Sequence, residues 1–167
     1  MLENFQPVPP DPILGLGQLF AADNRDSKID LGVGVFKDAG GNTPIMAAVK
    51  KAETVLHGTQ TTKTYKGLGG DEGFRDAMRQ MVLGESVSAD RVATIQTPGG
   101  TGAIRQLYEA IKKINGEATL WLSDPTWPSH VGIARHMGLN IRHYRYFDSA
   151  SSNVDFAAMM EDLSQIG

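Results

Sequence analysis

The clearest periodic pattern in the chain is Ala103, Ile104, Leu107, Tyr108, Ile111 and Ile114, apolar positions three and four apart that Gly116 closes. That spacing predicts an amphipathic helix. Val92 to Gln96 reads as a strand before it, and Ala118 to Leu122 as a strand after it, broken by Asp124-Pro125. Pro128 to Met137 follows as a short helix ended by Gly138, then Leu139 to Tyr146 as a strand and Phe156 to Leu163 as a helix capped by Asp155. Upstream, Asp11-Pro12 forms an N-cap and N1 pair ahead of Ile13, Leu16, Leu19 and Phe20 at helical spacing, and this helix should stop near Asp23-Asn24. Ile29 to Val35 is a short strand-like run containing Gly32 and Gly34. Thr43-Pro44 opens a second helix with Ile45, Val49, Ala52 and Leu56 on its apolar face and Gly58 at C′. A polar loop covers Thr59 to Gly70, and a third helix runs from Asp71 to Leu83, ending at Gly84. Residues 1–10, with Pro7, Pro9 and Pro10, read as an extended arm, because each proline lacks an N–H and fixes its φ.

Strands alternating with crossover helices predict an α/β domain with a largely parallel sheet. A parallel sheet needs both faces covered and more than three strands. A chain that stops just after a helix therefore reads as the front part of something larger.

Composition narrows the function. The 167 residues are 41% hydrophobic, enough for a real core, and their net charge of −3 comes without any basic block. Nucleic acid and anionic membranes are poor partners for such a chain. No apolar run is long enough to span a bilayer, and the start lacks the pattern of a secretion signal, so the expected location is cytoplasmic. With no cysteine there is no disulfide framework, thiolate metal site or cysteine nucleophile. His57, His130, His136 and His143 share no metal-ligand spacing, and no G-x-S-x-G elbow occurs. Glu109 and Glu161 fall on polar helix faces, where solvation is the default, and Arg142 with Arg145 is too small a cluster for a nucleic-acid surface.

Two segments can carry chemistry. Gln96 to Ala103 (QTPGGTGA) is a strand-to-helix turn, and the N–H groups of Gly100, Thr101 and Gly102 would point out of a helix N-terminus, with the Thr101 hydroxyl as a further donor. Such a turn is an anion site, or else a tight glycine turn with no ligand; on this segment alone the two readings stand level. It is neither a Walker A loop nor G-x-G-x-x-G. Ser123 to His130 (SDPTWPSH) follows the next strand and so falls on the same sheet edge. There Trp127 sits between two prolines on a stiff loop suited to stacking on a planar ring, and His130 is one turn away. An isolated tryptophan is more often core, but an anion site beside it favours a ligand.

Five segments in order, Asp11-Pro-Ile-Leu14, Leu31-Gly-Val-Gly-Val35, Thr64-Tyr65-x-Gly67, Gln96–Ala103 and Ser123–His130, together resemble the N-terminal part of the aspartate/aromatic amino acid aminotransferases, class I enzymes of fold type I that use pyridoxal 5′-phosphate (PLP). The resemblance covers essentially the whole chain. It implies a three-layer α/β fold, a mostly parallel sheet with helices on both faces. It also implies an arm at 1–10, a segment of the small domain at 11–42 and the first part of the large PLP-binding domain at 43–167. Gly99, Gly100 and Thr101 would cradle the cofactor phosphate, although some relatives have serine at the place of Gly99. By the same resemblance Trp127 would stack on the pyridine ring, with His130 behind it supporting the acid that pairs with the pyridine nitrogen. Tyr65 would reach the phosphate of the neighbouring subunit in a homodimer. Ile13, Leu14, Val33 and Gly34 would line the substrate side, and the Asp124–Pro125 bond would be cis.

The implied reaction moves an amino group between an aspartate- or aromatic-type amino acid and a 2-oxo acid. The family's catalytic lysine, which forms a Schiff base with the cofactor, lies in a Ser-x-x-Lys segment, and none of the eight lysines here stands in such a context. These 167 residues alone are therefore expected not to transaminate. The alternatives are a non-catalytic PLP- or phosphate-ligand-binding module, or a truncated remnant that associates with another chain.

Overall fold

The stripe around Ile104 forms the longest helix of the structure, a computed structural model that describes residues 2–4, 12–32 and 34–166. Two compact units divide the chain, Met1–Lys63 and Thr64–Gly167.

In the first unit, α1 spans Pro12–Ala22 and α2 spans Ala47–Thr59. No glycine closes α1. The ammonium of Lys28 does so instead, donating to the carbonyls of Phe20 at 2.9 Å and Asp23 at 2.7 Å while lying over the Phe20 ring. Helix α2 begins three residues after Pro44, because a proline φ fits an extended lead-in as well as a first helical turn. Gly58 lies inside α2 rather than at C′, and the Gln60 amide closes the helix on Leu56. Among the described residues the strand expected over 29–35 does not form: residues 28–32 and 34–38 are irregular. Val33, the side chain of Leu14, arm residues 1 and 5–10 and the expected N-cap Asp11 lie outside the described residues.

The second unit carries α3 (Glu72–Leu83), α4 (Gly99–Ile114), β1 (Thr119–Asp124), α5 (Pro128–His136), β2 (Asn140–Arg145), the two-residue strands β3 (Phe147–Asp148) and β4 (Asn153–Val154), and α6 (Phe156–Leu163). Its helix ends follow local chemistry. The Asp71 carboxylate accepts from the Phe74 amide to start α3, and Asp155 accepts from Ala158 to start α6. Gly84, at φ +53°, ends α3 in a conformation that glycine adopts without strain.

Strands β1 and β2 pair in parallel from Thr119↔Asn140 to Asp124↔Arg145, and β3 and β4 form a small antiparallel hairpin. The period of two divides the parallel pair between its faces. Leu120 and Ile141, directly opposite each other, pack with Ile104, Tyr108 and Ile111 of α4, Ile133 and Ala134 of α5, and Leu139. The next pair, Trp121 and Arg142, points the other way, with the guanidinium 5.7 Å from the indole ring and Gln165-Ile166, just after α6, alongside. The unit is therefore layered, helix on sheet on helix. Val92–Gln96 is not a strand among the described residues; it is an irregular segment leading into α4.

Helix α6 is strapped to β2 by Arg145. Its backbone amide and guanidinium both donate to the Asp162 carboxylate, the closest contact being 2.6 Å, and the guanidinium also donates to Glu161 at 2.5 Å. Glu161 is thus paired rather than simply solvated. The guanidinium holds the Asp162 carboxyl at about 2, below its ordinary value. A carboxyl lowered on folding adds stability above the unfolded value, about 4, and loses it as pH falls toward the folded one. Urea midpoints measured from neutral pH downward should therefore show an acid-dependent loss below about pH 4 that is smaller in Asp162→Asn, where the other lowered carboxyls, Asp71 and Asp148 among them, still titrate.

Candidate functional site

Chain direction brings the two glycine- and proline-rich loops to one edge. Helix α4 leads through a short turn at 115–118 into the amino end of β1, and at 1.5 Å per residue its 16 residues reach back about 24 Å, the full length of the strand. Helix α5 departs from the carboxyl end of β1 and returns toward the start of β2. Both helices run against the strands with their N-termini at the carboxyl edge. Lys112, near the end of α4, donates to the Met137 carbonyl just beyond α5, which shows that the two progress in the same sense.

At that edge α4 opens on Gly99, Gly100 and Thr101. Its N-cap is Pro98, which has no N–H and no side-chain cap to offer. By the i to i−4 rule, Gly102 is the first amide bonded within the helix, so the free donors are those of Gly99, Gly100 and Thr101, one residue earlier than the spacing suggested. Gly99 sits at φ +66°, where an L side chain is strained, although a Cβ there would meet nothing within 4 Å. A serine at this place would therefore meet backbone strain and no steric clash. The Thr101 side chain is exposed at the same edge.

The second loop is stiffened from within. The Asp124–Pro125 bond is cis, and the Ser123 hydroxyl donates to the Pro125 carbonyl at 2.8 Å. Trp127 holds an extended backbone as the N-cap of α5, and Pro128 takes the first helical position, which its φ suits. The His130 ring stands edge-on to the indole, with centroids 5.4 Å apart and planes at 87°. Its Nδ1 is 2.8 Å from the Thr126 hydroxyl, which fixes the ring from one side. The sequence reading did not single out Thr126, a residue type that is common in turns. The indole remains 40% exposed, so one of its faces can meet a planar ring.

Tyr65 does not join this group within the subunit. Its side chain is fully exposed on the 60–71 loop, and so is that of Leu68. Ile13 and Gly34 belong to the first unit, Ile13 on α1 and Gly34 in irregular backbone. Among the described residues no cluster of histidine and acidic side chains could hold a metal ion, and no helix is long and apolar enough to cross a membrane.

The sequence profile of aminotransferases class I and II matches residues 26–166. The chain belongs to this family. Aminotransferases that resemble it include the aromatic-amino-acid aminotransferase of Paracoccus denitrificans, 50% identical over 98% of this chain and 42% of that protein. The aspartate aminotransferase of Haemophilus influenzae is 42% identical over 99% of this chain and 42% of its own length. Among solved structures, an aromatic-amino-acid aminotransferase from Burkholderia pseudomallei, covalently bound to pyridoxal phosphate, matches at a TM-score of 0.89 and 31% identity, over 99% of this chain and 42% of that one. The chain thus spans about two-fifths of the length of the aminotransferases it matches. The fold is that of the fold type I PLP transferases, and the class I and II aminotransferase family depends on PLP.

The residues present fit that cofactor's phosphate and ring. Three backbone donors without intrahelical partners, a hydroxyl and the positive end of a 16-residue helix form the donor set that a phosphate dianion requires. The partly exposed indole of Trp127, on the loop after β1, suits a planar pyridine ring.

Proposed function

We propose that this chain supplies the phosphate anchor and ring wall of a PLP-dependent aminotransferase acting on an aspartate- or aromatic-type amino acid and a 2-oxo acid. The observation that carries the reading is the placement of the α4 donors and the Trp127 face at one sheet edge. When bound, PLP supplies an electron sink that makes the substrate Cα proton removable. The protein's part is binding and orientation. The amides of Gly99, Gly100 and Thr101, with the Thr101 hydroxyl, hold the phosphate, and Trp127 covers the ring. His130, anchored by Thr126 through Nδ1, would brace the indole and support the acid that pairs with the pyridine nitrogen. By the family resemblance alone, Ile13, Leu14, Val33 and Gly34 would be assigned to the substrate side. Tyr65 projects from its loop to a second copy's phosphate in a homodimer, for which its full exposure is suited.

The reactive lysine is not one of the eight in this chain, since none of them stands in a Ser-x-x-Lys segment. A polypeptide of these 167 residues should therefore bind PLP reversibly without transaminating. Titration with PLP, followed by absorbance and by intact mass after borohydride reduction, tests the reading. Saturable binding without a covalent adduct supports it, while no binding or a stoichiometric adduct overturns it. Thr101→Val removes one charge-assisted donor and should weaken PLP binding by about 1 kcal/mol or more, roughly fivefold. Unchanged affinity would remove Thr101 from the cradle.

A further inference from the structure

The segment that delivers the cradle has no sheet partner among the described residues, so its place must be fixed by other means. Most of that fixing passes through one residue. The Gln96 backbone amide donates to the Gly69 carbonyl at 2.9 Å, and its side-chain Oε1 accepts from the Asp71 backbone amide at 2.9 Å. Its Cβ lies so close over Gly70 that a methyl group there would stand 2.3 Å away. Asp71 in turn pairs with Lys66 at 2.8 Å, next to Tyr65, and caps α3. A second tie runs alongside: Arg75 of α3 lies against Gly69 and donates to the Thr94 carbonyl at 3.2 Å. The loop bearing Tyr65 and the segment 94–98 are thereby stitched together directly before the first donor of α4.

We propose that Gln96 is a positioning residue that holds the phosphate cradle and the Tyr65 loop as one rigid piece. This inference rests on the cofactor reading above. It requires an acceptor at the end of a three-carbon reach, because the Asp71 amide must be met there. It also separates the two halves of the ligand. Gln96 acts on the segment that leads into the α4 donors, whereas Trp127 and His130 are carried by the start of α5, with His130 anchored on Thr126.

The experiment measures equilibrium affinities of the protein for PLP and for pyridoxal, which lacks the phosphate. Gln96→Leu, which removes the acceptor, should weaken PLP about fivefold or more and leave pyridoxal unchanged. Gln96→Glu, which keeps an acceptor at the same reach, should recover most of the PLP affinity. Equal loss for both ligands would show a merely structural role and overturn the proposal, as would full PLP affinity in the leucine variant or no recovery by glutamate. A parent protein with no preference for PLP over pyridoxal would instead overturn the cofactor reading itself, a result distinguishable from all of these.

Discussion

Gly70→Ala is expected to destabilise the second unit by about 3 kcal/mol or more, read as a fall in urea midpoint at unchanged slope. Two costs add. At φ +87° a β-carbon is strained by about 1–2 kcal/mol. The new methyl would also stand 2.3 Å from Gln96 Cβ and 2.6 Å from Gln96 Oε1. The first of these atoms sits beside the backbone and cannot swing aside. Relief requires Gln96 to move, which breaks its bond to the Asp71 amide and loosens the segment entering α4. PLP affinity should therefore fall together with stability. Gly132→Ala is the control: inside α5, with nothing within 4 Å of a new Cβ, it should leave stability unchanged or raise it by up to about 1 kcal/mol. A Gly70→Ala protein as stable as its parent would show that the loop and the 94–98 segment are not in fixed contact.

Tyr108→Ala should cost about 3–5 kcal/mol, the usual range for truncating a buried aromatic side chain. Tyr108, Ala134 and Leu139 form the centre of the core between α4, α5 and the sheet, and Ala134 has no exposed surface. Removing the ring leaves a void that Ala134 is too small to fill. Burial raises the phenol pKa, but the ring carries most of the packing, so Tyr108→Phe should stay within about 1 kcal/mol of the parent. Against a typical stability of about 5–15 kcal/mol, the alanine change takes a large share. Helix α4 also presents the phosphate donors, so a core that no longer fixes it blurs the cradle. Denaturation curves for the three proteins would separate these outcomes, and a small loss in Tyr108→Ala would place the core elsewhere.

The elements legible from sequence share one property. In α3 and α6 the legible part was local start or stop chemistry, Asp71 and Gly84 for α3 and Asp155 for α6; in α4 it was the apolar stripe from Ala103, and the helix begins four residues earlier, at Gly99. A helix bonds within itself, so residues three and four apart carry the information. The two loops of the site were legible for a similar reason. A glycine turn before a stripe and a tryptophan between prolines are local facts, and their common edge follows from strand direction alone.

Strand identity failed where it depends on a partner. Ile29–Val35 and Val92–Gln96 have β-like composition, yet a strand is a pairing, and neither finds one among the described residues. Ala118–Leu122 and Leu139–Tyr146 have the same kind of pattern and do pair with each other. Pro44 and Gly58 misled because each constrains a single residue, while a helix boundary is a balance over a whole turn.

The sequence by itself determined the family, the α/β class, the glycine turn that opens α4 with Gly100 and Thr101 in its first turn, and the proline-flanked loop of Trp127. These rest on residue type and short spacing, which survive without knowledge of any distant contact. Only the tertiary structure decided that Arg145 meets Glu161 and Asp162, that Thr126 anchors His130, and that Gln96 ties the Tyr65 loop to the cradle. Two of those contacts join residues 16 to 25 positions apart, and the third depends on how the chain turns into α5. A polar side chain has no periodic signature that names its partner, so the choice is made only when packing brings two elements together.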